Sequence, residues 1–184
     1  MKRIFTLCAV LLVAVTAMAQ DGARMYGIKS GSIKTEMDMM GQTITTTTYF
    51  DNYGALQSAA MNMMGMDMVT ITKDGKTYLV NKGEKSVQEM PQMQQNINFL
   101  NLTDEAVKQF KVKETGKETV SGKECTVYTA EISQMGQTAK ATYSVWNGIP
   151  MKSVIDMGGF SMSQKVVEVK EGPVDASLFE IPKF

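Results

Sequence analysis

The sequence predicts a mainly β domain with a short helical insertion, an α+β chain dominated by antiparallel strands. Three observations predict it. Apolar and polar residues alternate with period two through several short runs. Gly-containing turns separate these runs at intervals too short for helical crossovers between parallel strands. One long stretch, Pro91 to Phe110, drops the alternation and takes helical spacing.

The elements follow in order. In Ser32 to Met40, Ile33, Thr35, Met37 and Met39 share one face, and Lys34, Glu36 and Asp38 the other. Gly41-Gln42 turns the chain into Thr43 to Phe50, rich in β-branched threonine. Asp51 to Gly54 is a turn, and Ala55 to Met64 the next strand, broken by Gly65. Val69 to Thr72 and Thr77 to Val80 flank Asp74-Gly75, a pair that supplies the positive φ angles of a tight hairpin. Asn81 to Glu84 turns into a short strand, Ser86 to Met90.

Residues 92–110 read as one or two short helices. Thr103 is placed to cap one, with Asp104 and Glu105 in the first turn, where negative charge meets the helix dipole. That cap also explains Thr103 better than the glycosylation pattern Asn101-Leu102-Thr103 does. Strands resume at 111–115, 118–121, 124–133, 138–146, 150–157 and 160–171. Pro173 stops the last, and Asp175-Ala176-Ser177 opens a helical turn carrying Leu178 and Phe179. Met40-Gly41-Gln42-Thr43 has an echo in Met135-Gly136-Gln137-Thr138, which reads as two hairpins obeying one turn chemistry.

Residues 1–19 have the layout of a cleaved signal peptide: Lys2-Arg3, an apolar run from Ile4 to Val15, then Ala17-Met18-Ala19 before Gln20. The run is too short to span a bilayer comfortably. Cys8 lies within it and Gln20 takes the mature start, so there is no lipobox. The expected product is one domain, residues 20–184, periplasmic or secreted, with no stable membrane insertion.

The signal holds two of the 19 basic residues and none of the 19 acidic ones. The mature chain is therefore slightly negative, with no basic excess to hold nucleic acid. Cys125 is the one cysteine outside the signal and reads as a small buried residue. The chain has no histidine, which removes the usual general base and the commonest transition-metal ligand. No glycine pattern cradles phosphate. The reading is non-catalytic, with no cofactor.

Methionine is the unusual residue, with 17 copies. Met61, Met63, Met64, Met66 and Met68 crowd one segment. Thioethers bind soft ions such as Cu(I). They also fill irregular apolar space and line adaptable binding surfaces, and methionines at ordinary strand positions elsewhere favour that lining role.

Several phrases resemble exported domains of the LolA/LolB lipoprotein-carrier fold, in particular an uncharacterised Bacteroidetes-type branch. They are Gly122 to Tyr128, Val145 to Lys152 and, most specific, Pro173 to Pro182; Tyr78-Leu79-Val80 with Lys85-Ser86-Val87 resembles that branch's central hairpin. The resemblance implies a strongly curved antiparallel sheet, an unclosed half-barrel with helices on its concave face, holding acyl chains between them. The carriers' inward-facing arginine on an early strand has no counterpart, because Thr43 to Phe50 contains none and Arg24 precedes the first strand.

The expected function is a periplasmic binding or carrier module for a hydrophobic ligand, a lipid or acyl chain. Its expected lining is Met37, Met39, Met61, Met63, Met66, Phe99, Leu102 and Phe110, with Phe99 and Phe110 pointing at the inner face near Met37 and Met39 and their segment acting as a lid. Two alternatives stay open: a structural or interaction domain of the envelope with a self-filled core, and a Cu(I) protein using Met61, Met63, Met64, Met66 and Met68.

Overall fold

The computed structural model describes residues 24–39, 42–63, 66–90, 97–134, 137–156, 158–159 and 161–184. The expected signal peptide lies outside them. Strands β1 (Gly31–Met39), β2 (Gln42–Asp51), β3 (Leu56–Met63), β4 (Met66–Lys73), β5 (Lys76–Asn81) and β6 (Ser86–Met90) form one meander. Strands β7 (Lys113–Val120), β8 (Lys123–Gln134), β9 (Gln137–Trp146), β10 (Ile149–Asp156) and β11 (Ser161–Glu171) form a second. The two join where β1 pairs antiparallel with β11, giving one unclosed sheet in the order β6-β5-β4-β3-β2-β1-β11-β10-β9-β8-β7. This is the curved antiparallel half-barrel that the resemblance implied.

Turn chemistry fixes the hairpins. Asp74 and Gly75 have φ of +52° and +74° between paired Lys73 and Lys76. Asn147 and Gly148 do the same at +49° and +75° between Trp146 and Ile149. Gly148 has a second reason: a Cβ there would collide with the carbonyl of Met25, which crosses the turn. Both Met-Gly hairpins of the internal echo close over two residues, Met39 pairing with Gln42 and Gln134 with Gln137.

Two expectations need correction. Residues 111–115 and 118–121 are not separate strands. They form the single strand β7, whose register shifts between Glu114 and Gly116, so a bulge takes the place of the expected break. The helical segment is also shorter than expected. Residues 91–96 lie outside the described part, 97–103 are turn and extended chain, and α1 covers only Asp104–Gln109. Asn98 explains the loss. Its Oδ1 accepts from the amides of Leu100 and Asn101 at 3.1 and 3.2 Å, and its Nδ2 donates to the Arg24 carbonyl at 2.8 Å. Such side-chain bonds compete with helix formation. Thr103 caps α1 as expected, its Oγ1 accepting from the Ala106 amide at 3.2 Å.

The core has two parts. One gathers Ile28, Ile33, Phe50, Val120, Cys125, Ile149, Met151 and Val166 near the middle of the sheet. Cys125 is fully buried there, and burial pushes its thiol pKa up. The other gathers Ile97, Phe110 and Val112 against Ala130 and Ile132 of β8 and Ala139 and Ala141 of β9. After β11, the 3-10 turn Ala176–Phe179, capped by Asp175, packs near β3 and β4 and buries Phe179.

Candidate functional site

The register of the central strands builds one uncharged surface. Ile33, Thr35 and Met37 of β1 pair with Thr48, Thr46 and Ile44 of β2. Thr35 and Met37 pair on the other side with Val166 and Gln164 of β11. Thr48 and Phe50 pair with Ala59 and Gln57 of β3. Paired residues share a face. The charged residues of β1 fall on the opposite face, where Lys34 meets Glu168 and Glu36 meets Lys165.

A cleft of about 330 Å³ opens on the uncharged face. Ile33, Thr35, Met37, Thr46, Thr48, Gln57, Met61, Gln164 and Val166 line it, with Ile149 and Pro150 at the start of β10 and Tyr26 from the segment before β1. That segment is tied in place: the amides of Met25 and Tyr26 donate to the Tyr53 carbonyl at 2.9 and 3.0 Å, and that of Gly27 to the Asn147 carbonyl at 2.8 Å. Tyr26 packs edge-on against Phe50, ring centroids 5.0 Å apart. Its hydroxyl donates to Gln57 Oε1 at 3.4 Å, and burial raises its pKa to about 12. Gln57 Nε2 donates to the Gly54 carbonyl at 2.9 Å, and Gln164 Nε2 to Ser153 Oγ at 3.4 Å. The cleft thus combines apolar walls with held, neutral hydrogen-bonding groups.

Of the eight residues expected to line a cavity, the structure brings Met37 and Met61 together here. Met39, Met63 and Met66 are placed by backbone register alone, at positions of the same parity. Phe99, Leu102 and Phe110 lie elsewhere. Phe99 packs at a tilt against Tyr128 and Tyr143 with centroids 5.3 and 5.0 Å apart, and Phe110 is buried against β8 and β9. The Phe110 carbonyl also accepts from the Glu131 amide at 2.7 Å. The two phenylalanines therefore cover the β8–β9 part of the sheet, not the neighbourhood of Met37. The cause is the strand order, which sets β10 and β11 between β9 and β1.

Sequence reasoning missed the polar half of the cleft. Thr35 was already on the Met37 face by alternation, and Thr46 and Thr48 follow from Phe50 by the same count. Tyr26, Gln57 and Gln164 gave no such signal, because long-range pairing and the crossing N-terminal segment bring them in.

The methionine-rich run forms the β3–β4 hairpin, with Met61 opposite Met68 and Met63 opposite Met66. Met64 lies outside the described residues. Among the described residues, no group of three or more His, Cys, Asp or Glu could hold a metal ion. One other polar cluster stands out. Ser144, only 1% exposed, donates to Glu118 Oε1, and Lys152 Nζ lies 3.3 Å from both carboxylate oxygens. The Ser144 hydroxyl is buried against a carboxylate and presents no nucleophile to solvent.

No family model matches the sequence, and no curated protein matches it either. Solved structures do match in fold. An uncharacterised conserved protein from Thermus thermophilus superposes with a TM-score of 0.61 at 13% identity, over 91% of this chain and 95% of that one. A chain of the Pseudomonas aeruginosa MucA/MucB complex gives 0.57 at 14% identity, over 89% of this chain and 60% of that one. MucB crystallised alone gives 0.51 at 12% identity, over 91% and 63%. The chain spans 63% of the MucB chain it matches. Among the described residues, no helix is long and apolar enough to cross a membrane. These likenesses show a shared fold, here one unclosed antiparallel sheet with little helix.

Proposed function

We propose that the protein is a non-catalytic, exported carrier or binding module that holds a hydrophobic ligand, a lipid or acyl chain, in the cleft beside Met37 and Met61. One observation carries this reading: a cleft of about 330 Å³ on the central strands, with no charged side chain among the described residues that line it. Its volume falls at the small end of the range of ligand sites. Flexible methionines suit a chain of variable shape. An open cleft supports a carrier over a domain whose interior is filled by its own side chains. The likeness to MucB, which has been solved in complex with MucA, leaves room for a protein partner.

The test is direct. Mature protein purified from its native host should carry co-extracted lipid by mass spectrometry and should bind a neutral fluorescent probe of apolar sites. Absence of both would sink the proposal.

A second reading is favoured by the hairpin register. Four methionines stand at two cross-strand pairs, Met61–Met68 and Met63–Met66, separated by Asn62–Asp67, a backbone placement that suits a soft ion such as Cu(I). Titration with Cu(I) should then show uptake that replacement of these four by leucine removes. Equal uptake by the leucine variant ends this reading.

A further inference from the structure

The charge pattern around the cleft says what kind of head group it accepts. On β1 and β11, Lys34 stands opposite Glu168 and Glu36 opposite Lys165 on the face away from the cleft. The cleft side offers amides and hydroxyls, among them Gln57, Gln164 and Tyr26. Building on the carrier reading, we propose that the cleft selects an uncharged single-chain amphiphile, an acyl ester with a hydroxyl-bearing head, over a fatty-acid anion.

The physical reason is desolvation. A neutral ester or hydroxyl entering the cleft exchanges bonds to water for bonds to amide and hydroxyl groups. A carboxylate entering it finds no cation among the described lining residues and loses its hydration without compensation. Donors and acceptors are both present, since the glutamine amides and the threonine hydroxyls can each play either role. The modest volume fits one chain of medium length. Tyr26 is the one titratable residue among the described residues of the lining, and its phenol stays protonated across the range in which carboxylic acids titrate.

The experiment loads the mature protein with the neutral probe N-phenyl-1-naphthylamine and displaces it with monododecanoylglycerol or with dodecanoate. At about pH 8 the fatty acid's carboxyl group is ionised. The ester should displace the probe at a concentration at least about tenfold lower than the anion. The gap should narrow as pH falls towards the carboxyl pKa. Gln164→Lys places a cation in the lining and should strengthen dodecanoate binding, with Thr46→Lys as a second variant should the first fail to fold. Equal displacement by ester and anion at about pH 8, or preference for the anion, overturns the selectivity while leaving the carrier reading standing. A probe that never binds overturns the carrier reading, and this inference with it.

Discussion

The hydroxyl of Ser121 donates to the backbone carbonyl of Val166 at 2.6 Å. Ser121 sits in the turn between β7 and β8, and Val166 lies on β11, with β10 and β9 between. In a flat sheet, neighbouring strands stand about 4.8 Å apart, so these atoms would be roughly 15–20 Å from each other. Their contact measures how tightly this wing of the sheet curls. It is available because the pairing of β10 with β11 ends at Lys152–Lys165, which leaves the next carbonyl of β11 free on that side.

Ser121→Ala should therefore loosen the curl. The expected loss is about 1 kcal/mol, the usual net worth of one hydrogen bond. Urea unfolding monitored by Trp146 fluorescence would read it, and an unchanged midpoint would show that the curl is held elsewhere.

Glu118 predicts a pH dependence. The Ser144 hydrogen bond holds its carboxyl below the ordinary value, against a desolvation that pushes the other way, and Lys152 adds to the lowering. A depressed carboxylate stabilises the fold above its unfolded pKa of 4.5 and loses that contribution as pH falls through the folded value. The stability gap between wild type and Glu118→Gln should be full at neutral pH and shrink below about pH 4.5. Thermal melts across pH would show it; a gap that widens in acid would contradict the assignment.

Two glycines with nearly equal backbone angles should respond differently to alanine. Gly122 has φ of +77° with nothing near its missing Cβ, so Gly122→Ala should cost only the left-handed penalty, about 1–2 kcal/mol. Gly148, at +75°, would in addition drive its Cβ into the Met25 carbonyl and close to Leu100. Gly148→Ala should destabilise clearly more, and also shift Tyr26, which follows Met25 into the cleft. Equal melting points for the two variants would count against this.

Phe110→Ala removes a ring from a closed cluster and should cost about 3–5 kcal/mol. Phe99 is half-buried against Tyr128 and Tyr143, so Phe99→Ala should cost less. Neither change should alter probe binding in the fraction that stays folded, because both rings lie apart from the Met37 cleft. Loss of binding in a folded Phe99→Ala would place the ligand between α1 and β8–β9 instead.

The strands were legible because each has a face to bury. Alternation set Ile33, Thr35 and Met37 on one side, and Asp74-Gly75 set the register of β4 and β5. Helical spacing overstated the helix over residues 97–103, because the competition from the Asn98 side chain for backbone amides is not a matter of periodicity. The phenylalanines were assigned to the right kind of work, covering the sheet, but to the wrong strands. Nothing local in β1 records that β11 lies beside it, and the position of Phe110 relative to Met37 depends on that. The cleft's apolar members could be read from alternation, whereas Gln57, Gln164 and Tyr26 needed the tertiary fold.

The adjacency of β1 and β11 also bears on how the chain reaches its native state. Each meander is a run of hairpins between neighbours in sequence, and such local pairings form fast. The pairing of Gly31 with Glu171 closes a loop across most of the chain and must come late. Until then the first meander carries a bare edge at β1, next to the unpaired Met37 face, on a polypeptide still emerging vectorially. That interval exposes the β1 edge to strand-to-strand aggregation, and the arrival of β11 covers it.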